Sequence, residues 1–111
     1  MNAISKISEK RFYPRTSFIT KVVFEDELGE GLFYVFSKDI SMGGLFLASD
    51  IPVAVGALLF LSFALPGCAK PVKVTGEVVR QCDREGGGMG IMFLGLSGFA
   101  RKRLEDFLET D

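Results

Sequence analysis

The sequence predicts an all-β fold with one C-terminal α-helix, its strands forming a small six-stranded antiparallel β-barrel. Three observations lead there. Period-two alternation recurs in short segments between Ser17 and Leu94. Turn-forming clusters of Gly, Pro and Asp separate those segments. Apolar residues at three- and four-residue spacing occur as a sustained pattern only at the end of the chain. Closely spaced antiparallel strands suit a closed barrel, and an apolar helix face suits a cover for one opening or edge.

In the first strand Phe18, Thr20, Val22 and Phe24 alternate with Ile19, Lys21, Val23 and Glu25. Residues 25–30 form a polar turn. The second strand sets Leu32, Tyr34 and Phe36 against Phe33 and Val35. Asp39 to Gly44 reads as a turn, because Asp and Ser bond local backbone groups and a glycine pair permits positive φ. Leu45-Phe46-Leu47 is a short strand, followed by a connection over residues 50–56. The apolar run ending at Leu65 is a strand with Leu59, Leu61, Phe63 and Leu65 on one face, stopped by Pro66-Gly67. Val72, Val74, Gly76 and Val78 mark the next strand, which Arg80 ends. A glycine-rich loop over 84–88 leads to a last strand over 89–94. Ser97 is placed to cap a helix whose apolar face carries Phe99, Ala100, Leu104, Phe107 and Leu108. Residues 1–15 show no periodicity and read as a mobile arm; residues 1–8 are arm alone, and 9–111 form a single domain.

Composition narrows the function. The chain has 111 residues, 48% of them hydrophobic, and a net charge of −1, which suits one folded core and offers no general basic surface for a nucleic-acid polymer. There is no His, so the usual general base and the commonest metal ligand are missing. Cys68 and Cys82 match no metal or redox spacing and read as buried free thiols of a reducing cytosol, with a disulfide as the alternative. The longest apolar run, 51–65, is shorter than the roughly 20 residues of a membrane span. No nucleophile–base pair is apparent. These features point to a cytoplasmic binding protein, not an enzyme, with no cofactor or metal.

Two short motifs carry chemistry. Arg11-Phe12-Tyr13-Pro14-Arg15 is an R-x-x-x-R. Pro14 disfavours a helix there, and in an extended segment Arg11 and Arg15 share a face roughly 13 Å apart. Their planar forks pair bidentately with phosphate or with guanine O6 and N7. Asp39-Ile40-Ser41-Met42-Gly43-Gly44 is a D-x-S-x-x-G. A carboxylate at Asp39 accepts both donors of guanine's Watson–Crick edge, Ser41 donates to a phosphate or ribose oxygen, and Gly43 and Gly44 allow close approach. Each motif alone also fits a plainer role, the first as a solvated basic arm and the second as a hairpin turn.

Together, in this order, the motifs resemble the PilZ domain family. The resemblance continues through Leu65-Pro66-Gly67, Gly76-Glu77-Val78-Val79-Arg80 and Gly88-Met89-Gly90-Ile91-Met92-Phe93 to the closing helix, over roughly residues 9–108. It implies a six-stranded barrel and a site for cyclic di-GMP. Carried over by position, Arg11 and Arg15 clasp phosphates and guanine faces, Asp39 and Ser41 contact guanine and its neighbouring phosphate, and Gly44 makes room. Lys10 stands where many relatives have Arg, a position linked to binding one ligand molecule or a stacked pair. Arg80 either lines the site or is a solvated strand end. The expected behaviour is ordering of the arm over the barrel, presenting a surface to an unidentified downstream protein; oligomeric state is open between monomer and weak dimer. The alternative is a PilZ-fold interaction module that does not bind the nucleotide. The helix begins with Arg101-Lys102-Arg103 and ends on acids, against the macrodipole, which Arg101–Glu105 and Lys102–Asp106 pairs would partly offset. This basic first turn either serves a ligand or partner or is a tolerated surface pattern.

Overall fold

The computed structural model describes residues 16–26, 28–29, 31–49, 51, 53–82 and 87–109. The arm over 1–15, with Lys10, Arg11 and Arg15, lies outside the described residues, as does most of the glycine-rich loop. Among the described residues seven strands and one helix follow in order: β1 (Thr16–Ser17), β2 (Lys21–Asp26), β3 (Leu32–Ile40), β4 (Gly44–Ala48), β5 (Leu58–Phe63), β6 (Val72–Cys82), β7 (Gly88–Leu94) and α1 (Gly98–Glu109). All pairings are antiparallel. The order β3-β2-β5-β6-β7-β4 closes on itself through the β3–β4 pairing, so six strands make a barrel. The two-residue β1 is added beside the end of β3.

The alternation read from the sequence sorts inside from outside. Val22 and Phe24 of β2, Leu59, Leu61 and Phe63 of β5, Val72, Val74 and Val78 of β6, and Met89 and Ile91 of β7 fill the barrel. Phe24 stacks on Phe33 with centroids 5.2 Å apart, and Phe63 on Phe93 at 6.4 Å. α1 packs on β6. Ser97 caps it, its Oγ accepting the Ala100 N–H at 3.1 Å. Ala100 and Leu104 are fully buried, and Phe107 and Leu108 are half-buried.

Several boundaries differ from the sequence reading. The first predicted strand breaks in two, because Ser37, almost fully buried, holds the crossing between β1 and β2: its Oγ accepts the Thr20 N–H at 3.0 Å and donates to the Phe18 carbonyl at 2.6 Å. β3 runs on to Ile40, so Asp39 is a strand residue, and β6 continues past Arg80 to Cys82. Positive φ occurs at Gly29, Gly56, Gly67 and Gly95, not at Gly43 or Gly44. Phe99 is 42% exposed and lies under the Arg103 guanidinium, 5.3 Å from its centroid. Lys102 pairs with Asp106 at 3.2 Å, whereas Arg101–Glu105 is not an ion pair among the described residues. Cys68 and Cys82 are free, but half-buried instead of buried.

Candidate functional site

Asp39 reaches the outer face of the barrel through a bulge. On β3, Val35 and Ser37 point inward. Strict alternation would send Asp39 the same way, into the core. Instead the β3–β4 register shifts between Ser37 and Asp39, and Lys38 is the extra residue. The inserted residue reverses the alternation, so Ile40 becomes the buried one and Asp39 turns outward. Arg80 gets the same treatment. Val72, Val74, Gly76 and Val78 face inward, and a register shift between Val78 and Arg80 leaves Arg80 on the outside.

The two bulges bring the displaced residues onto one row. Ser17 pairs with Asp39, Asp39 with Phe46, Phe46 with Gly90, and Gly90 with Arg80. Directly opposed residues share a face, so this row crosses β1, β3, β4, β7 and β6 on the barrel exterior. With strands about 4.8 Å apart, Asp39 and Arg80 stand roughly 14 Å from each other along the sheet.

Phe46 is the centre of the row, and neither sequence motif assigns it a functional role. Its neighbours Leu45 and Leu47 are both buried, so alternation alone turns Phe46 outward, beside the D-x-S motif; that is the signal from which it was legible. Lys38 Nζ lies 5.6 Å from its ring centroid and Arg80 Cζ 5.5 Å. Cation–π contacts at such exposed positions contribute about 0.5–1 kcal/mol each. Glycines make the floor. A Cβ on Gly90 would come within 3.0 Å of Arg80 Nε, and one on Gly88 within 2.8 Å of the Phe46 ring.

Ser41 and the glycines after it build the turn at the end of this row. The Ser41 side chain is almost fully buried. Its Oγ accepts the Gly43 N–H at 3.1 Å and lies 3.4 Å from the Gly44 carbonyl, to which the Ser41 N–H donates at 2.8 Å. The hydroxyl thus serves the turn in this structure. Gly44 is also set by packing: a Cβ there would stand 1.9 Å from the Ile91 carbonyl oxygen.

The chain belongs to the PilZ domain family, whose family model matches residues 9–110. Solved structures share the fold. The Bacillus subtilis inhibitor of motility MotI (DgrA) is similar at 19% identity and a TM-score of 0.75, over 92% of this chain and 51% of that one. The chain therefore spans about half the length of MotI. The PilZ domain of YcgR from Escherichia coli, solved with c-di-GMP, is similar at 14% identity and a TM-score of 0.71, over 91% of both chains. The K. pneumonia MrkH–c-di-GMP complex is similar at 19% identity and a TM-score of 0.70, over 91% of this chain and 52% of that one. No curated protein sequence matches. Among the described residues no group of three or more His, Cys, Asp or Glu is placed to hold a metal ion, and no helix is long and apolar enough to cross a membrane.

Proposed function

We propose that this chain is a cyclic di-GMP receptor in which the dinucleotide lies on the outer row from Asp39 to Arg80 and the R-x-x-x-R segment closes over it. The row itself carries the reading. It offers an acceptor for a guanine edge at Asp39, an aromatic face at Phe46, and a planar cation at Arg80 over glycines that add no bulk. Thr16, bonded directly to Arg15, is paired with Ile40, next to Asp39. The two motifs, 28 positions apart in the sequence from Arg11 to Asp39, are thus tethered at one end of the row.

In this reading Arg11 and Arg15 clasp phosphate and guanine by bidentate bonds. Asp39 accepts guanine N1–H and N2–H, which adenine cannot supply. Ser41, Gly43 and Gly44 fix the turn that follows Asp39, the Ser41 hydroxyl holding that turn from within. Lys10 supplies charge without a planar fork, and so bears on whether one or two ligand molecules bind. Residues 1–8 extend the arm ahead of the domain that begins at 9. Closure of the arm creates the surface read by a downstream protein that controls motility, biofilm or exopolysaccharide output. The protein acts by binding, in the cytoplasm, and catalyses no reaction.

Isothermal titration with cyclic di-GMP tests this. Wild type should bind with a micromolar or tighter Kd, about −8 kcal/mol or better. Asp39→Ala removes charge-assisted bonds contributing about 1.5–3 kcal/mol, a loss of roughly 10- to 150-fold. Arg15→Ala should lose tenfold or more on the same grounds, roughly 1.4 kcal/mol. No heat, and no competition by a fluorescent analogue, would overturn the receptor reading and leave an interaction module.

A further inference from the structure

The barrel carries a second exposed surface, on β2, β5 and the part of β3 that precedes the bulge. Before its bulge, β3 turns Leu32, Tyr34 and Phe36 outward, exposed by 57%, 59% and 56%. Outward positions on antiparallel strands are normally polar. Phe60 of β5, 44% exposed, adds to the same face. Together these side chains expose on the order of 400 Å² of apolar surface, about the largest patch a soluble monomer normally tolerates. Because the barrel is closed, a partner must meet the face and not an edge.

The charges on this face say what the partner is. Down the middle runs β2, whose outward residues are Lys21, Val23 and Glu25. Lys21 is paired with Phe36, Val23 with Tyr34 and Ser62, and Glu25 with Leu32 and Phe60. In register Lys21 and Glu25 therefore stand equally far on either side of Val23, each opposite an exposed apolar residue of β3, and the Lys21 ammonium leans over the Tyr34 ring, 5.0 Å from its centroid. A two-fold axis lying in the interface along the Tyr34–Val23–Ser62 row reverses strand direction. It sets Lys21 over Glu25 of a second copy, Glu25 over Lys21, Phe36 over Leu32, and Tyr34 against its own equivalent; Lys73, opposite Ser62 at the β6 end of the same row, also meets its own equivalent, so the attractive contacts are those of β2 and β3. Self-complementarity of this kind is the signature of an isologous contact, in which one patch meets itself. Shape agrees with charge. An open groove of about 510 Å³, lined by Glu25, Leu32, Phe60 and Lys73 among others, lies at the Leu32 end. The two-fold brings Phe36 of the second copy to that end.

We infer that the β2–β3–β5 face is a homodimer interface, with two symmetric Lys21–Glu25 pairs flanking an apolar centre of Tyr34, Phe36, Leu32 and Phe60. The surface includes none of Asp39, Phe46 and Arg80, so dimerisation and ligand binding are separable.

Sedimentation velocity of the full chain across concentration tests the inference. The mass should rise toward twice the monomer value by about 0.5 mM, where even a millimolar Kd leaves a detectable dimer fraction. Lys21→Glu and Glu25→Lys each turn two attractive pairs into two repulsive ones and should weaken the dimer about tenfold or more. The double reversal restores both pairs and should recover most of the association. Both side chains leave the core untouched, so thermal stability and cyclic di-GMP affinity should stay at wild-type levels in all three variants. A chain that remains monomeric at about 0.5 mM overturns the proposal and leaves the face for a different protein. So does a dimer indifferent to either single reversal, or one that the double reversal fails to restore.

Discussion

Alanine in place of Gly44 tests why the D-x-S-x-x-G motif ends in glycine. The backbone there has no positive φ, so conformational freedom is not the reason. Space is. A Cβ would stand 1.9 Å from the Ile91 carbonyl oxygen, 3.0 Å from its carbon and 3.2 Å from the Met92 Cα. A carbon and a carbonyl oxygen in contact normally keep about 3.3 Å or more, so β4 and β7 must part by more than about 1 Å. The obstacle is backbone, which cannot swing aside as a side chain can. Parting the strands also stretches the bond from the Phe93 N–H to the Gly43 carbonyl, now 2.8 Å. Overpacking costs about 1–3 kcal/mol, and a weakened buried backbone bond adds to it, for an expected loss of about 2–4 kcal/mol. In a domain of this size that lowers Tm by roughly 10–25 °C. Thermal unfolding followed by circular dichroism without ligand measures it. Gly90→Ala is the control on the same barrel: the atoms nearest its Cβ, at 3.0–3.7 Å, all belong to the Arg80 side chain, a flexible group, and Tm should fall by no more than about 5 °C. If Gly44→Ala instead melts with wild type while losing cyclic di-GMP, the glycine makes room for the ligand and the packing account is wrong.

The same contacts predict four further outcomes. Phe46→Ala removes the ring on which Lys38 and Arg80 rest, and should weaken cyclic di-GMP binding by about 5- to 30-fold in titration calorimetry, with unfolding little changed. Ser37→Ala leaves the Thr20 N–H and the Phe18 carbonyl without their bonds; it should cost about 1–3 kcal/mol in urea unfolding and speed hydrogen exchange at the Thr20 amide. Ser97→Ala removes the α1 cap and should cost about 1 kcal/mol by the same assay, with Ser97→Asp retaining most of the stability. Leu104→Ala, at a fully buried position, should cost about 2–5 kcal/mol, whereas Phe99→Ser on the exposed side should change stability by less than about 1 kcal/mol.

The barrel was legible because its strands obey one rule. Leu59, Leu61 and Phe63 alternate with the polar or exposed side in sequence and in space alike; β5 ends at Phe63, short of the Leu65 at which the sequence reading ends it, although Leu65 is still buried. The cap at Ser97 was legible for the same reason: a local pattern has a local cause. Phe99 departs from the sequence reading because spacing alone joins it to the apolar face. It lies about 100° around the helix from Ala100, away from the Ala100–Leu104–Phe107 stripe, and the first turn of α1 carries it beyond the core. The aliphatic and cationic reach of Arg103 covers its ring instead. The break between β1 and β2 was not legible, since Phe18 and Thr20 fit the alternation and only the buried Ser37 hydroxyl, 17 residues on from Thr20, shows why the chain bends there. Phe18 also meets Phe107 at 4.8 Å, so the segment between β1 and β2 touches α1, a contact that no sequence window contains.

The site row is the part that sequence periodicity actively conceals. By simple alternation Asp39 belongs with Val35 and Ser37, and Arg80 with Val74 and Val78, so both charges would enter the core, where burying either unpaired is prohibitive. A sequence reading avoids that only by ending each strand early, which is why Asp39 reads as a turn residue and Arg80 as a strand end. The barrel has another solution. One extra residue in β3 and one in β6 reverse the parity of the residues beyond them, so the strands continue and the charges turn outward. The bulges sit on opposite strands of the barrel, yet the residues they release fall on a single row with Phe46 and Gly90 between them. A bulge is defined by a partner strand, so neither is visible from its own segment. Strands kept regular would bury both charges; strands ended early would leave Arg80 without its partner Gly90 and the row without one end. Two local departures from regular pairing are thus what make an acid, an aromatic ring and a cation one surface.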